Sequence, residues 1–288
     1  MARIVYTSDL HGNLDLYRAA GNAAVRTRAA ALIFGGDLCP GTPSGEARRM
    51  PVEQPEFLLH RLSHLLDMWK DTHPALRIFA IPGNDDCQTI LPALEELETG
   101  GLIENLHRGT RKLGPYTLMG LSYVPPTPFH LKDFERWDDA PEPNSNSYSY
   151  RCIMGTPRGF AVIEDFESYL DSFPSITQEL ERFKIKEPAQ TIAVIHTPPV
   201  NTHCDVLFDG RHIGSKALRS WIEKKQPLLA LHGHIHESPR LSKTFFDRIG
   251  STTVINPGCD HTRPHLVFID LENPSELEHS IYGKKTVE

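Results

Sequence analysis

Three short apolar runs in this chain break off abruptly into glycines and metal-ligand residues. Ile4 to Thr7 runs into Ser8-Asp9-Leu10-His11-Gly12-Asn13, Ala31 to Phe34 into Gly35-Gly36-Asp37, and Arg77 to Pro82 into Gly83-Asn84-Asp85-Asp86. Two more such ends follow far downstream, Ile195-His196-Thr197-Pro198-Pro199 and His232-Gly233-His234-Ile235-His236. Apolar runs of this length, alternating with helical patterns, read as buried strands of a largely parallel sheet. Loops leaving the carboxyl end of such strands carry side chains outside the packed core, and ligands usually sit there. Ends that all carry Asp, Asn or His imply one polar site assembled from most of the chain.

The segments between these ends fit that plan. Leu14 to Ala29 reads as a helix, Pro40 to Pro55 as a turn-rich loop, and Glu56 to Asp71 as a second helix. In the latter, Phe57, Leu58, Leu62, Leu65, Leu66 and Trp69 fall at helical spacing. A short helix is expected near Ile90 to Glu98, then a long one from Phe160 to Phe183 broken at Pro174, and another over Ser215 to Lys224. Thr191 to Ile195 and Leu228 to Leu231 read as buried strands, and the tail as β structure over Thr244–Ile249, Thr252–Ile255, His265–Leu271 and Leu277–Tyr282. Pro125 to Gly159 breaks the rhythm with repeated prolines and the polar run Asn144 to Tyr150. Unpatterned segments this long inside a compact domain are usually functional or disordered. The expected organisation is one domain over 1–288 with an insertion at about 125–159 near the site.

Composition excludes some functions. A net charge of −7 argues against long nucleic acid, which needs clustered Lys and Arg to displace counterions. No apolar run is long enough to span a bilayer. The 5 cysteines are scattered without a C-x-x-C pair, which fits reduced thiols and a cytoplasmic protein. The first strand begins at once, so no leader is expected. Oligomeric state is not legible.

The donor inventory is Asp9, His11, Asp37, Asn84, His196, His234 and His236. It exceeds one tetrahedral zinc site and lacks the thiolates of a structural zinc knot. Mixed oxygen and imidazole donors suit divalent transition metals such as Mn, Fe, Zn, Co or Ni, among which Mn is favoured here. A carboxylate shared by two ions would hold them roughly 3.5–4 Å apart.

The order D-x-H, G-D, G-N-x-D, H and G-H-x-H resembles the calcineurin-like metallophosphoesterases, and Asn256-Pro257-Gly258 matches their usual closing turn. The resemblance implies an α/β fold of two facing mixed β-sheets flanked by helices, in four layers. It implies two divalent metal ions, the first on Asp9, His11 and His236, the second on Asn84, His196 and His234, with Asp37 bridging. The implied reaction is hydrolysis of a small phosphate ester by in-line attack of a metal-bridging hydroxide, with Asn84 helping to neutralise the phosphoryl oxygens.

The chain departs from that family at one position. Many members carry His between the Asn and Asp of the third motif, to protonate the leaving group; here Asp85 stands there. A carboxyl near its reference pKa of about 4 is a poor donor at neutral pH. Either the leaving group needs little protonation, which favours phosphodiesters slightly, or His203 or His212 supplies the proton. The alternatives are a phosphomonoesterase, such as a protein phosphatase or nucleotidase, and a silent scaffold of the same fold. Asp86 reads as a group that orients ligands, and Asp15 as a first-turn helix residue. Gly210 to Ser215 reads equally as a phosphate-binding turn or as the cap of the next helix.

Overall fold

The computed structural model describes residues 3–41, 49–139 and 151–287. The Tyr148-Ser149-Tyr150 stretch and the middle of the expected 40–55 loop lie outside them. The first half alternates β1 (Arg3–Thr7), α1 (Leu14–Arg26), β2 (Ala31–Phe34), α2 (Met50–Phe57), α3 (Ser63–Thr72), β3 (Arg77–Ala80), α4 (Leu91–Thr99) and β4 (Glu104–Asn105). A hairpin of β5 (Thr110–Leu113) and β6 (Tyr116–Leu121) precedes a ribbon of β7 (Cys152–Thr156) and β8 (Gly159–Ile163). Short helices α5 (Phe166–Asp171) and α6 (Ile176–Glu181) lead to β9 (Thr191–Ile195), α7 (Lys216–Lys225), β10 (Leu229–Leu231) and α8 (Ser238–Ser242). The chain closes with β11 (Phe246–Ile249), β12 (Thr252–Ile255), β13 (Val267–Asp270), β14 (Glu276–His279) and β15 (Gly283–Thr286).

Two mixed sheets result. One is seven-stranded in the order β15-β14-β13-β1-β2-β3-β4, the other six-stranded in the order β11-β12-β10-β9-β6-β5. Strands β1 to β4 run parallel, as do β6, β9, β10 and β12.

The period-two alternation of strand side chains decides the layers. Ile4, Tyr6, Ile33 and Phe79 of the first sheet pack with Ile192, Val194, Leu229 and Leu231 of the second, forming the core between sheets. Their neighbours Val5, Leu32, Phe34 and Ile78 turn outward onto Tyr17, Ala20, Leu66, Trp69 and Leu94 of the helices. On the other side, Leu121, Ala193, Ile195 and Ala230 meet Leu180, Leu218, Trp221 and Ile222. Each fully buried aliphatic or aromatic side chain stabilises the fold by roughly 1.5–3 kcal/mol. Two facing mixed sheets flanked by helices are therefore the consequence of strands apolar on both faces, as expected.

Three expectations need correction. The expected helix from Glu56 starts earlier, at Met50, so residues 50–55 are helical where a loop is expected. Pro51 sits in its first turn, where no N–H is needed. Pro55 cannot donate back to the Pro51 carbonyl, and the Thr89 hydroxyl donates to it instead at 2.6 Å. Second, the helix expected from Phe160 starts as strand β8, paired with β7 across the Thr156–Gly159 turn, and only then breaks into α5 and α6. Ser175 and Gln178 form a capping box that starts α6 just after Pro174. Third, Glu104–Asn105, the β5–β6 hairpin and β15 are strands where no strand is expected.

Between Pro125 and Gly159 the described residues are ordered by pairing. Val124 bridges Glu135 and Leu131 bridges Ile153. Lys132 and Glu135 form a wholly buried ion pair at 2.9 Å.

Candidate metal centre

The parallel strands of each sheet share one carboxyl edge. From it emerge Asp9 and His11 after β1, Asp37 after β2, Asn84 after β3, His196 after β9, and His234 and His236 after β10. Beyond these ends the backbone turns sharply. Asp9 (φ 59°), His11 (φ 43°), Asp37 (φ 49°) and His234 (φ 66°) occupy the left-handed region, which costs a residue with a side chain about 1–2 kcal/mol. Bonds between loops hold them there: Asp9 N–H donates to Gly36 O at 3.0 Å, His11 N–H to Asp37 O at 2.9 Å, and Gly233 N–H to His196 O at 3.0 Å. Strain of this kind clusters at functional sites because the surrounding structure over-determines it.

All these side chains converge. His236 Nε2 lies 3.3 Å from Asp9 Oδ1 and 3.3 Å from His11 Nε2. His196 Nε2 lies 3.4 Å from Asp37 Oδ2, 4.0 Å from Asp9 Oδ1 and 3.1 Å from Asn84 Oδ1. His234 Nδ1 is 2.6 Å from the same Asn84 oxygen, and His11 Nε2 is 3.8 Å from Asp37 Oδ2. Asp37 thus lies between a group around His11 and His236 and a group around His196 and His234.

The donor set fits cations. Donor atoms of Asp9, His11, Asp37 and His236 all lie within 4.8 Å of one another. Asp9 and Asp37 are almost fully buried, and Asp9 Oδ2 has no hydrogen-bond partner among the described residues. An orphaned buried carboxylate oxygen demands a compensating charge. Burial works against a charge on His196 and His236, yet the Asp37 and Asp9 carboxylates raise both imidazoles to about 9. Burial and the neighbouring His196 push His234 down to about 3, so its neutral ring keeps one nitrogen lone pair free to coordinate. The cage also has no room for a larger backbone. A Cβ at Gly83 would stand 2.2 Å from Asp37 Oδ1 and 2.7 Å from His196 Nε2.

Other groups orient the donors. Asp86, fully buried, accepts from the N–H groups of Leu38 (3.0 Å), Cys39 (2.9 Å) and Gly83 (2.8 Å), tying the Asp37 loop to the Asn84 loop. Asp85 accepts from Asn84 Nδ2 at 2.9 Å, which turns the Asn84 oxygen toward the histidines, and its other oxygen lies 3.8 Å from His11 Nδ1. Burial, reinforced by the Asp37 charge, pushes Asp85 and Asp86 up to about 7; bound cations would pull them down. Asn256 donates to the carbonyls of Gly233 (3.2 Å) and Ile235 (3.0 Å) and so supports the loop of His234 and His236.

His203 and His212 have partners elsewhere. The His203 ring, 58% exposed, lies 3.4 Å from Asp247, and His212 Nδ1 lies 2.7 Å from Asp205. Ser215 caps α7, its hydroxyl accepting from Leu218 N–H at 2.9 Å. Asp15 is an exposed first-turn residue of α1. Two further residues, Asp133 and His261, bear on the site without a clear sequence signal. Asp133 accepts from Gln88 N–H at 2.7 Å, pinning the 125–159 segment to the third motif. His261 stands against His11 and His236, and its only sequence signal is its place just after the Asn256-Pro257-Gly258 turn.

Buried carboxylates and imidazoles at the facing strand ends of such a sandwich define a metal-dependent hydrolase architecture. The model of the calcineurin-like phosphoesterase family matches residues 2–238, and the chain belongs to that family. Its members act on phosphate esters and use a dinuclear divalent metal centre. Among solved structures, a protein from Thermus thermophilus is similar with a TM-score of 0.58 and 18% identity, covering 98% of this chain and 99% of that one. A dimetal phosphatase from Danio rerio is similar with a TM-score of 0.50 and 14% identity, covering 99% of this chain and 96% of that one. At these identities the likeness is one of fold. No curated protein matches the sequence.

Proposed function

We propose that this chain is a dinuclear-metal phosphoesterase acting on small phosphate esters, with phosphodiesters slightly preferred. The observation that carries the reading is the convergence of Asp9, Asp37 and Asn84 from one sheet with His196, His234 and His236 from the other. Asp9, His11 and His236 would hold the first ion, Asn84, His196 and His234 the second, and Asp37 both. When bound, the ions supply Lewis acidity: they acidify water for use as a nucleophile and neutralise phosphoryl charge. The chain's part is orientation. Asp85 fixes the Asn84 amide, and Asp86 fixes the two loops that carry Asp37 and Asn84.

The preference for diesters rests on Asp85, which offers no imidazole to the leaving group. With the His203 and His212 rings beside Asp247 and Asp205, a leaving group that needs little protonation is the better substrate. The 125–159 segment, anchored through Asp133, is proposed to roof the site and select substrates within a single domain. Manganese is the favoured metal for these oxygen and imidazole donors. Among the described residues no helix is long and apolar enough to cross a membrane, and the free thiols suit a cytoplasmic site of action.

The test is metal analysis coupled to a panel of aryl phosphodiesters and monoesters on one preparation with added Mn²⁺. Two metal equivalents and diester turnover lost in Asp37→Ala are expected, with His203→Ala and His212→Ala near wild type. Faster monoester turnover would reject the diester preference, and activity surviving Asp37→Ala would reject the site.

A further inference from the structure

We infer that His261 is a further ligand of the first metal position, beside Asp9, His11 and His236; the inference rests on the dinuclear reading above. The rings of His11, His236 and His261 form a nearly equilateral triangle. Their centroids stand 5.1 Å (His11–His236), 5.2 Å (His11–His261) and 5.2 Å (His236–His261) apart, with the planes tilted by 67°, 61° and 73°. One donor nitrogen from each lies within 4.8 Å of the others.

This is the geometry of imidazoles around one ion. A metal–nitrogen bond of about 2.0–2.1 Å puts each ring centroid about 3.2 Å from the ion, and the 90–120° angles of a five-coordinate set with Asp9 and Asp37 then separate centroids by about 4.5–5.5 Å and donor nitrogens by about 2.9–3.6 Å. The observed centroid separations match, and His11 Nε2 and His236 Nε2 are 3.3 Å apart. Rings that merely shared a surface would have no reason to adopt equal spacings and mutually steep planes.

The loop around His261 is also built to hold the ring. His261 adopts φ 59°, a left-handed conformation that is costly for a residue with a side chain. Its carbonyl accepts from Asn13 Nδ2 at 3.2 Å, and its N–H donates to Cys259 Sγ at 3.4 Å. Cys259 Sγ donates in turn to the Asp9 carbonyl at 3.1 Å and lies 3.5 Å from His261 Nδ1. Asn13 and Asp9 belong to the first motif, so the loop is fastened to the strand end that supplies the first ion. A third imidazole there fills coordination positions that water or substrate would otherwise take. The first ion should then be the more tightly retained, and the second the more open to substrate.

The experiment titrates metal-free wild type, His261→Ala and His261→Gln with Co²⁺. It reads the visible d–d absorption, affinity against a competing chromophoric chelator, and bound metal by elemental analysis. Wild type should show two steps. Both variants should weaken the tighter step by about 10–100-fold, a loss typical of removing a group that supports a metal, and should change its absorption band. The weaker step and the melting temperature of the metal-free protein should stay unchanged. Two steps of wild-type affinity and spectrum in both variants would overturn the role of His261 while leaving the dinuclear reading intact. No metal uptake by wild type would overturn that reading, and this inference with it.

Discussion

Replacing Asp86 with alanine removes one side chain that meets no proposed donor atom and yet holds two of the loops that carry them. Its carboxylate accepts three backbone N–H groups, from Leu38, Cys39 and Gly83, at 2.8–3.0 Å. The side chain is fully buried. A buried donor left without a partner costs roughly 1–3 kcal/mol, and hydrogen bonds to a charged acceptor lie at the upper end. Three orphaned donors therefore predict a loss of about 3–9 kcal/mol, less whatever water entering the hole recovers. Asp86→Asn keeps one acceptor oxygen but presents an NH₂ to a backbone N–H, so about half that loss is expected. Because Asp37 next to Leu38 is already in the left-handed region, relaxation there should also displace its carboxylate.

The measurement is urea unfolding of the metal-free protein, followed by Mn²⁺ affinity of each variant that folds. Asp15→Ala is the control, since Asp15 is 89% exposed and pairs, among the described residues, with Arg18 one helical turn away; it should change stability by less than about 0.5 kcal/mol. If Asp86→Ala matched that control in both stability and metal affinity, the picture of Asp86 as the tie between the two loops would be wrong.

Gly83→Ala should abolish metal binding, because its methyl would press on Asp37 and His196; Gly100→Ala, with its nearest contact at 3.5 Å, should retain it, as elemental analysis would show. Burial pushes His279 down to about 4, outweighing the Pro257 carbonyl that accepts from its Nε2 at 3.0 Å. The unfolded chain takes up this proton near pH 6.5 and the folded one only near 4, so the contribution is fully present above 6.5 and is lost as pH falls through that window. Its span is about 3 kcal/mol, and the stability gap between wild type and His279→Gln should narrow accordingly; parallel pH curves would refute it. Lys132→Met should cost about 3–5 kcal/mol by leaving Glu135 buried without its partner, while Lys132→Met with Glu135→Leu should regain most of that in thermal unfolding.

The site was more legible than the periphery for a physical reason. Strands buried on both faces are apolar runs, and the chemistry begins where the run stops, so β1, β2, β3, β9 and β10 announce both themselves and their donors. Edge elements carry no such signal. Thr110–Leu113 alternates exposed and buried, β15 is exposed throughout, and Phe160–Ile163 is a strand only because Cys152–Thr156 pairs with it. Met50–Phe57 hid behind prolines whose cost is offset by the Thr89 hydroxyl, a contact no local pattern encodes. His261 was invisible for the same reason: its neighbours in space are fixed by Asn13 and Cys259, not by spacing along the chain.

Asp85 gains a meaning that the sequence pattern alone denied it. As a missing imidazole it looked like a loss of proton-donating capacity. In the fold its carboxylate accepts from the Asn84 amide and approaches His11 Nδ1, one residue from each side of the cage. An imidazole at this position cannot accept from an amide with one oxygen while a second oxygen faces His11. The Asp85 carboxylate thus fixes the Asn84 amide and approaches His11, one donor from each of the two proposed metal positions. On the function proposed above, such a site suits a substrate whose leaving group departs without help.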